Sequence, residues 1–356
     1  MTSKSLKATY VQKVAFFGRF NLIARLFYRI DSLFLLNLSL HLNQDFNPMK
    51  RKIIQLLTVL FCSSAIASAQ QIEWTPEQIK AYSEGYTGPR SADGRPMISD
   101  NLIKRLANVS IEEAWGFLRN KGYHNQFDAG WTIIGDGVLV GRAVTSQYMP
   151  LRPDVDEKIK AQGEEEGRIG APNSWPIDVL THGDVYVADG FGKVVDGTLI
   201  GDNLGNAIYA KSGTGVVFDA GARDVEGLER IKGFTGFVRG LDPSYIQGMM
   251  MTCINCPIRI GRATVMPGDL VLGKKEGVIF IPAMYAQDLI MNAEFVALRD
   301  EFGHMRLREG KYTPGEIDRR WTDNIKQDFL SWIKAHPEKL QMTPKEFDDY
   351  MKERNW

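Results

Sequence analysis

The stretch GDNLGNAIYAKSGTGVVFDAGARD, residues 201–224, decides the fold. It opens on Asp202 in one glycine-flanked turn and closes on the pair Arg223-Asp224 in another. Between them lie a helical segment over 206–212, a Gly turn and the β-rich run GVVFDAG. Loop, helix, turn, strand and loop in that order fold back on themselves and bring the two loops to one end of a sheet. Working outward, the short segments DVYVADG and KVVDGTLIG precede the stretch, and a helix over 225–231 and FTGFVRG follow it. Short strands alternating with short helices around glycine turns predict an α/β body.

Further out, the pattern changes on both sides. PIRIGRATVMPGDLVLGKKEGVIFIP predicts antiparallel strands with a PGD turn, and GVLVGRAVTSQY within 131–148 reads as a strand pair. Upstream, Asp100 is positioned to cap a helix ending near Ala107. Ser110 and Glu113 form an S-x-x-E capping box for a second helix over 111–121, stopped at Gly122. Residues 152–176 are acidic and hold Gly and Pro, which predicts an inserted loop. Its adjacent Glu164, Glu165 and Glu166 read as solvated charges, since adjacent side chains point apart, and its Trp175 as a residue that shapes a pocket. Residues 70–98 read as a surface lead-in, 283–302 as an apolar-faced helix, and 303–356 as a charged, Trp-bearing helical extension between Pro-marked breaks.

The first seventy residues read differently. MKRKIIQLLTVLFCSSAIASAQ, beginning at Met49, has a basic start (Lys50, Arg51, Lys52), an apolar middle over 53–66 and the small-residue site Ala67-Ser68-Ala69. These are the three parts of a secretory signal. Its apolar run of about fourteen residues falls short of the roughly 20 that a spanning helix needs. The expectation is therefore a signal peptide over 49–69 and an exported, periplasmic or secreted chain with no stable membrane anchor after cleavage. Residues 1–48 then read as an upstream gene-model artefact, with translation starting at Met49.

Residues 1–69 carry nine of the 43 basic and two of the 43 acidic residues, leaving 34 against 41, a net charge of about −7. That argues against a nucleic-acid partner, because phosphate binding draws on clustered Lys and Arg. Cys62 leaves with the signal. Cys253 and Cys256, in CINC, are compatible with half a zinc site, a redox pair or two unrelated core thiols, and in an oxidising compartment with a disulfide; with no second CxxC and no clustered His, a four-ligand zinc site is disfavoured.

The residues of the opening stretch carry a definite chemistry. An Asp at a strand end is a hard oxygen ligand suited to Mg2+, which keeps several waters and takes only one or two protein carboxylates. A second Asp can orient a metal-bound water, and an adjacent Arg presents a planar fork to a carboxylate or a developing oxyanion. The backbone amides of Gly201, Asp202, Asn203 and Leu204, opening onto a helix N-terminus, can receive an anion. The alternative is that Asp202 only caps its helix while Arg223 and Asp224 are solvated loop charges. A dinucleotide loop is disfavoured, since there is no G-x-G-x-x-G and Asp202 would place negative charge against a pyrophosphate.

The order GRAVT, HGDVYVADG, GDNL, A-x-x-G-x-G-V-V-x-D-x-G-x-R-D, PGD and EGVIFIP resembles the family of the regulator of ribonuclease activity A, over roughly residues 99–302. That family includes metal-dependent 4-hydroxy-4-methyl-2-oxoglutarate aldolases. The resemblance implies a swivelling β/β/α-type fold with N-terminal helices and, here, an extra C-terminal helical tail. It also implies a homotrimer or homohexamer with sites between subunits. By the same resemblance Asp224 binds Mg2+ (or another divalent cation such as Mn2+), Arg223 contacts substrate, Asp202 holds a metal-bound water, and residues 201–204 hold a pyruvyl group. The implied function is a lyase that cleaves a small 2-oxo acid. The alternatives are a non-catalytic binding protein, which some family members are, and a lyase for a carbohydrate-derived substrate using the same metal site. The usual D-G before the R-D turn reads Asp219-Ala220-Gly221 here. Glu294 and Glu301 are candidates for an acid lent by a neighbouring subunit.

Overall fold

The computed structural model describes residues 71–135 and 137–352. The expected signal peptide and the upstream segment lie outside the described residues. Chain order begins with α1 (Pro76–Ala81), α2 (Asp100–Leu106) and α3 (Ile111–Asn120), followed by β1 (Phe127–Asp128), β2 (Thr132–Ile134) and β3 (Leu139–Pro150). Next come α4 (Pro153–Glu165), α5 (Trp175–Asp178), β4 (Asp184–Ile200), α6 (Asp202–Ser212), β5 (Val216–Ala222), α7 (Val225–Glu229) and β6 (Gly236–Leu241). The strands β7 (Met249–Ile254), β8 (Ile258–Ile260), β9 (Ala263–Val265), β10 (Leu270–Lys274) and β11 (Gly277–Ile281) precede a helical end. That end comprises α8 (Ala286–Arg308), α9 (Pro314–Ile317), α10 (Asp323–Ala335) and α11 (Pro344–Lys352).

Nine of the described strands form one mixed sheet in the order β1-β11-β10-β3-β4-β5-β6-β2, with β7 paired to the second half of β3. The central four, β3 to β6, are parallel. They are joined by α4–α5, α6 and α7, as parallel strands require crossovers. One face of the sheet buries Tyr186, Phe218 and Val238 with Ile208 of α6 and Leu228 of α7; the other buries Val187, Val217 and Phe237 with Ile258 and Val265 of the β8–β9 hairpin. The expected α/β class holds.

Helix α8 ties two cores together. Its first half (Leu289, Ile290, Ala293) packs with Leu106, Leu118 and Ile279, and its second half (Phe295, Leu298, Phe302) with Trp321, Phe329, Trp332 and Phe347. The helical extension therefore packs on the chain's own α8, which runs unbroken past residue 302 to Arg308.

Several local expectations are corrected. The strands within 131–148 do not pair with each other: β2 pairs with β6, and β3 with β10, β4 and β7. DVYVADG and KVVDGTLIG are one 17-residue strand, bent at bulges where Phe191 and Asp196 take positive φ. The first half of the acidic insertion folds as α4, and Gly163 leaves room for the Trp175 ring on its inner side, a Cβ there lying 2.3 Å from the ring edge. Glu164, Glu165 and Glu166 are exposed at its end. The cap of α2 is Ser99, not Asp100, whereas the Ser110–Glu113 capping box forms as expected. Nor is the lead-in confined to the surface, for Ile72, Ile79, Arg95 and Ile98 are buried. Cys253 and Cys256 are joined by a disulfide, which removes the zinc and free-thiol readings.

Candidate functional site

Strands β4 and β5 run side by side with Ile200 opposite Ala222, and the Arg223 amide donates to the Ile200 carbonyl at 3.0 Å. The loops that follow the two strands therefore start level with each other. Gly201, in extended backbone, is the N-cap of α6, and Asp202 is its first helical residue, with no side-chain capping bond at this end. Asp202 is thus not the helix cap. The 202–204 amides form the open first turn of α6, donors that no helical carbonyl can reach. At the other loop, Asp224 is in the left-handed region (φ 54, ψ 42) and is the N-cap of α7, again without a side-chain cap bond. That backbone conformation costs of order 1–3 kcal/mol for a non-glycine residue. It aims the carboxylate away from its own helix and back towards the first loop.

Two glycines show how closely the loops approach. A Cβ on Gly201 would lie 2.4 Å from Asp224 Oδ2 and 3.3 Å from Arg223 Nε. A Cβ on Gly227, in α7, would lie 2.5 Å from Asp202 Cβ and 2.7 Å from its Oδ2. Each loop thus contributes the aspartate and the other makes room for it. Sequence reasoning missed Gly227. The available signal was a glycine inside a predicted helix, where it costs about 1 kcal/mol relative to Ala and needs a packing reason.

Arg223 Nε stands 3.7 Å from Asp224 Oδ2, beyond hydrogen-bond distance, and their side chains are 42% and 44% exposed. Among the described residues, the Asp224 carboxylate makes no capping bond and its arginine neighbour stays at 3.7 Å, and no hydrogen bond reaches the Asp202 carboxylate. Two hard oxygen donors with open lone pairs, one beside an arginine and both beside a helix N-terminus, fit a cation that keeps most of its waters. No group of three or more His, Cys, Asp or Glu side chains is gathered for a metal among the described residues.

Below the loops the acids are employed differently. Asp219 accepts from Arg239 Nε at 2.5 Å; Arg239 also donates to Asp128 at 2.5 Å and stacks on Trp131, 3.7 Å from the ring centroid. Asp189, in register with Asp219, accepts from Gln147 at 2.9 Å, and burial, reinforced by Asp219, holds its carboxyl above the usual range. The Ala220 methyl, where the family pattern has glycine, fills space left open by Gly190: a Cβ there would lie 2.6 Å from it. Glu294 and Glu301 are engaged within the chain, the first by two bonds from Arg105 at 2.7 Å and the second by Lys339 at 2.6 Å.

Fold and site together define an α/β protein with an acid–arginine constellation at the C-terminal ends of two parallel strands. The family profile described as RraA-like, Aldolase/RraA, matches residues 96–280, and the chain belongs to that family. Among curated relatives, protein DlpA of Legionella pneumophila is 26% identical over 202 residues, covering 56% of this chain and 31% of DlpA. A Halalkalibacterium halodurans protein provisionally named 4-hydroxy-4-methyl-2-oxoglutarate aldolase is 29% identical over 119 residues, covering 33% of this chain and 56% of that one. The chain thus spans about a third of the first relative and just over half of the second. The crystal structure of an uncharacterised Pseudomonas syringae pv. tomato protein has a similar fold, with a TM-score of 0.50 at 19% identity, covering 69% of this chain and 99% of that one.

Proposed function

We propose that this chain is a divalent-cation-dependent carbon–carbon lyase acting on a small 2-oxo acid, by retro-aldol cleavage of a 4-hydroxy-2-oxo acid, decarboxylation of oxaloacetate, or both. The observation that carries the reading is the mutual closure of the two loops, Gly201 against Asp224 and Gly227 against Asp202, with both carboxylates open to a ligand. Asp224 would hold the cation, Mg2+ or Mn2+, directly, and Asp202 would orient the water around it. When bound, such a cation supplies Lewis-acid polarisation of the 2-oxo group. The amides of the first turn of α6 bind the substrate carboxylate. In either reaction the bond between the carbons α and β to the ketone breaks and its electron pair is left on a pyruvate enolate. Arg223 donates to the oxygen on which that charge develops. The relative named as an aldolase supports the same reading.

Export by way of residues 49–69 and assembly as a trimer or a multiple of it belong to the same proposal. N-terminal sequencing of the exported protein tests the first, with Gln70 as the expected start; light scattering tests the second. The function itself is tested by incubating residues 70–356 with oxaloacetate and 4-hydroxy-2-oxo acids, with Mg2+ or with chelator. Pyruvate that appears only with the metal is the expected result, and none from any of these acids contradicts the reading.

A further inference from the structure

A cavity of about 320 Å3 opens between α4, the turn over 170–173 and the β3–β7 pair. That volume falls within the range of small-molecule pockets, about 300–1,000 Å3. Its walls are fastened to the ends of the two site strands. Asn173 Nδ2 donates to the Leu199 carbonyl at 3.0 Å, two residues before Gly201. On the other side, the loop that carries Ile246 is held by the Gln247 amide on Asp196 O, by Thr198 Oγ1 on Ser244 O and by the Asp242 amide on Ala222 O, one residue before Arg223. Hydrogen bonds therefore tie the walls of the cavity to the strand ends from which the two candidate-site loops start.

Its lining is mixed in a particular way. Tyr148, Met249, Met251 and the Trp175 edge offer apolar surface, while Asp156, Lys160, Asn173 and Arg168 offer polar atoms. The basic groups are already paired, Lys160 with Asp156 at 2.6 Å and Arg168 with Glu73 at 2.9 Å and Glu166 at 3.1 Å, and Glu164 adds a further carboxylate to the lining. No net positive charge is left to draw in a second carboxylate. An aliphatic tail would strip water from Glu164 and from the donors and acceptors that the Asp156–Lys160 pair leaves over, and put nothing in its place. Hydroxyl groups, which donate and accept at once, satisfy a carboxylate, an ammonium and an amide together, and the C–H faces of a short polyol suit thioether and ring edges.

We propose that this cavity is a subsite for the hydroxylated tail of the substrate, so that the preferred 2-oxo acid is a polyhydroxylated, sugar-derived one rather than a short or dicarboxylic one. The inference rests on the lyase reading for its chemistry. Cleavage of 4,5,6-trihydroxy-2-oxohexanoate breaks the C3–C4 bond: the C4 hydroxyl loses its proton, C4 leaves as the aldehyde carbon of glyceraldehyde, and C3 takes the electron pair and then a proton to give pyruvate.

The test compares that acid with 4-hydroxy-2-oxopentanoate, which lacks the tail, on residues 70–356 with Mg2+. The expected ratio of kcat/KM is about tenfold or more in favour of the longer acid, the size of one or two net hydrogen bonds. If neither acid is turned over, the lyase reading fails, and the same ratio is read from dissociation constants by calorimetry. Asp156→Ala and Lys160→Ala should each bring the ratio towards one, whereas a lesion that merely loosens the fold lowers both values and leaves the ratio alone. A wild-type ratio near one, no binding of the longer acid, or a ratio that both variants preserve overturns the subsite.

Discussion

Strand β4 begins at one aspartate and is followed by another, and the two are used in opposite ways. Asp184, at the start, is fully buried and saturated: it accepts from Arg95 and Arg142 at 3.1 Å each, and from the Thr181 amide and hydroxyl at 2.9 Å each. Arg142 extends the network to the carbonyls of Ile98 and His182. Among the described residues no hydrogen bond reaches the carboxylate of Asp202, just past the other end, and that of Asp224 beside it makes no capping bond and stays 3.7 Å from its arginine neighbour. The contrast separates an acid used up inside the fold from one left open at a strand end. The first has its lone pairs taken by cations of its own chain; the second has them held open by glycine and backbone geometry.

The largest expected effect breaks the saturated end. Asp184→Ala leaves Arg95 and Arg142 buried without their shared counter-charge, and removing one partner of a buried pair costs about 3–5 kcal/mol. Urea unfolding should show that loss or a failure to fold, and a change below about 1 kcal/mol would remove the contrast.

At the open end the effect should fall on rate and spare stability. Arg223→Ala is expected to lower kcat by about 10²–10³-fold, the usual consequence of one lost oxyanion donor. Asp202→Asn should cost about 10–100-fold, since it acts through an oriented water. Both variants should unfold within about 0.5 kcal/mol of the wild type. Paired kinetics and denaturation check this, and a stability loss that matches the activity loss would make these residues structural.

A third aspartate sharpens the comparison. Asp269, in the PGD turn, is buried, and its hydrogen bonds come from the Met266 and Ala283 amides; burial pushes its carboxyl up to about 7 from 3.8. Above pH 4 the unfolded chain releases this proton while the folded chain keeps it until about pH 7. Asp269 therefore lowers stability as pH rises through that window and adds no further change above it. Asp269→Asn, which keeps an acceptor and does not ionise, should show a smaller fall in Tm between pH 5 and 8 than the wild type. Parallel slopes would show that Asp269 does not titrate in this range.

The open end was legible in the sequence and the saturated end was not. Asp202, Arg223 and Asp224 sit in glycine-flanked turns at strand ends, where local pattern alone puts polar groups at one edge of a sheet. Asp184, Arg142 and Arg95 are 42 and 89 residues apart, and nothing local to any of them announces the partner. The α4 helix was missed because its glutamates and Gly163 imitate a loop, when Gly163 is there to seat Trp175. The long β4 was divided in two because its bulges place glycines and positive-φ residues inside a strand.

The central claim is that Asp224 is held open to bind a cation, and a metal titration of Asp224→Asn tests it most directly. Exchanging one carboxylate oxygen for an amide weakens a hard-cation contact. The expected result is therefore a higher Mg2+ concentration for half-maximal pyruvate formation, with a lower rate at saturation, while Arg223→Ala keeps the wild-type metal dependence. An Asp224→Asn variant with wild-type Mg2+ dependence would contradict the account.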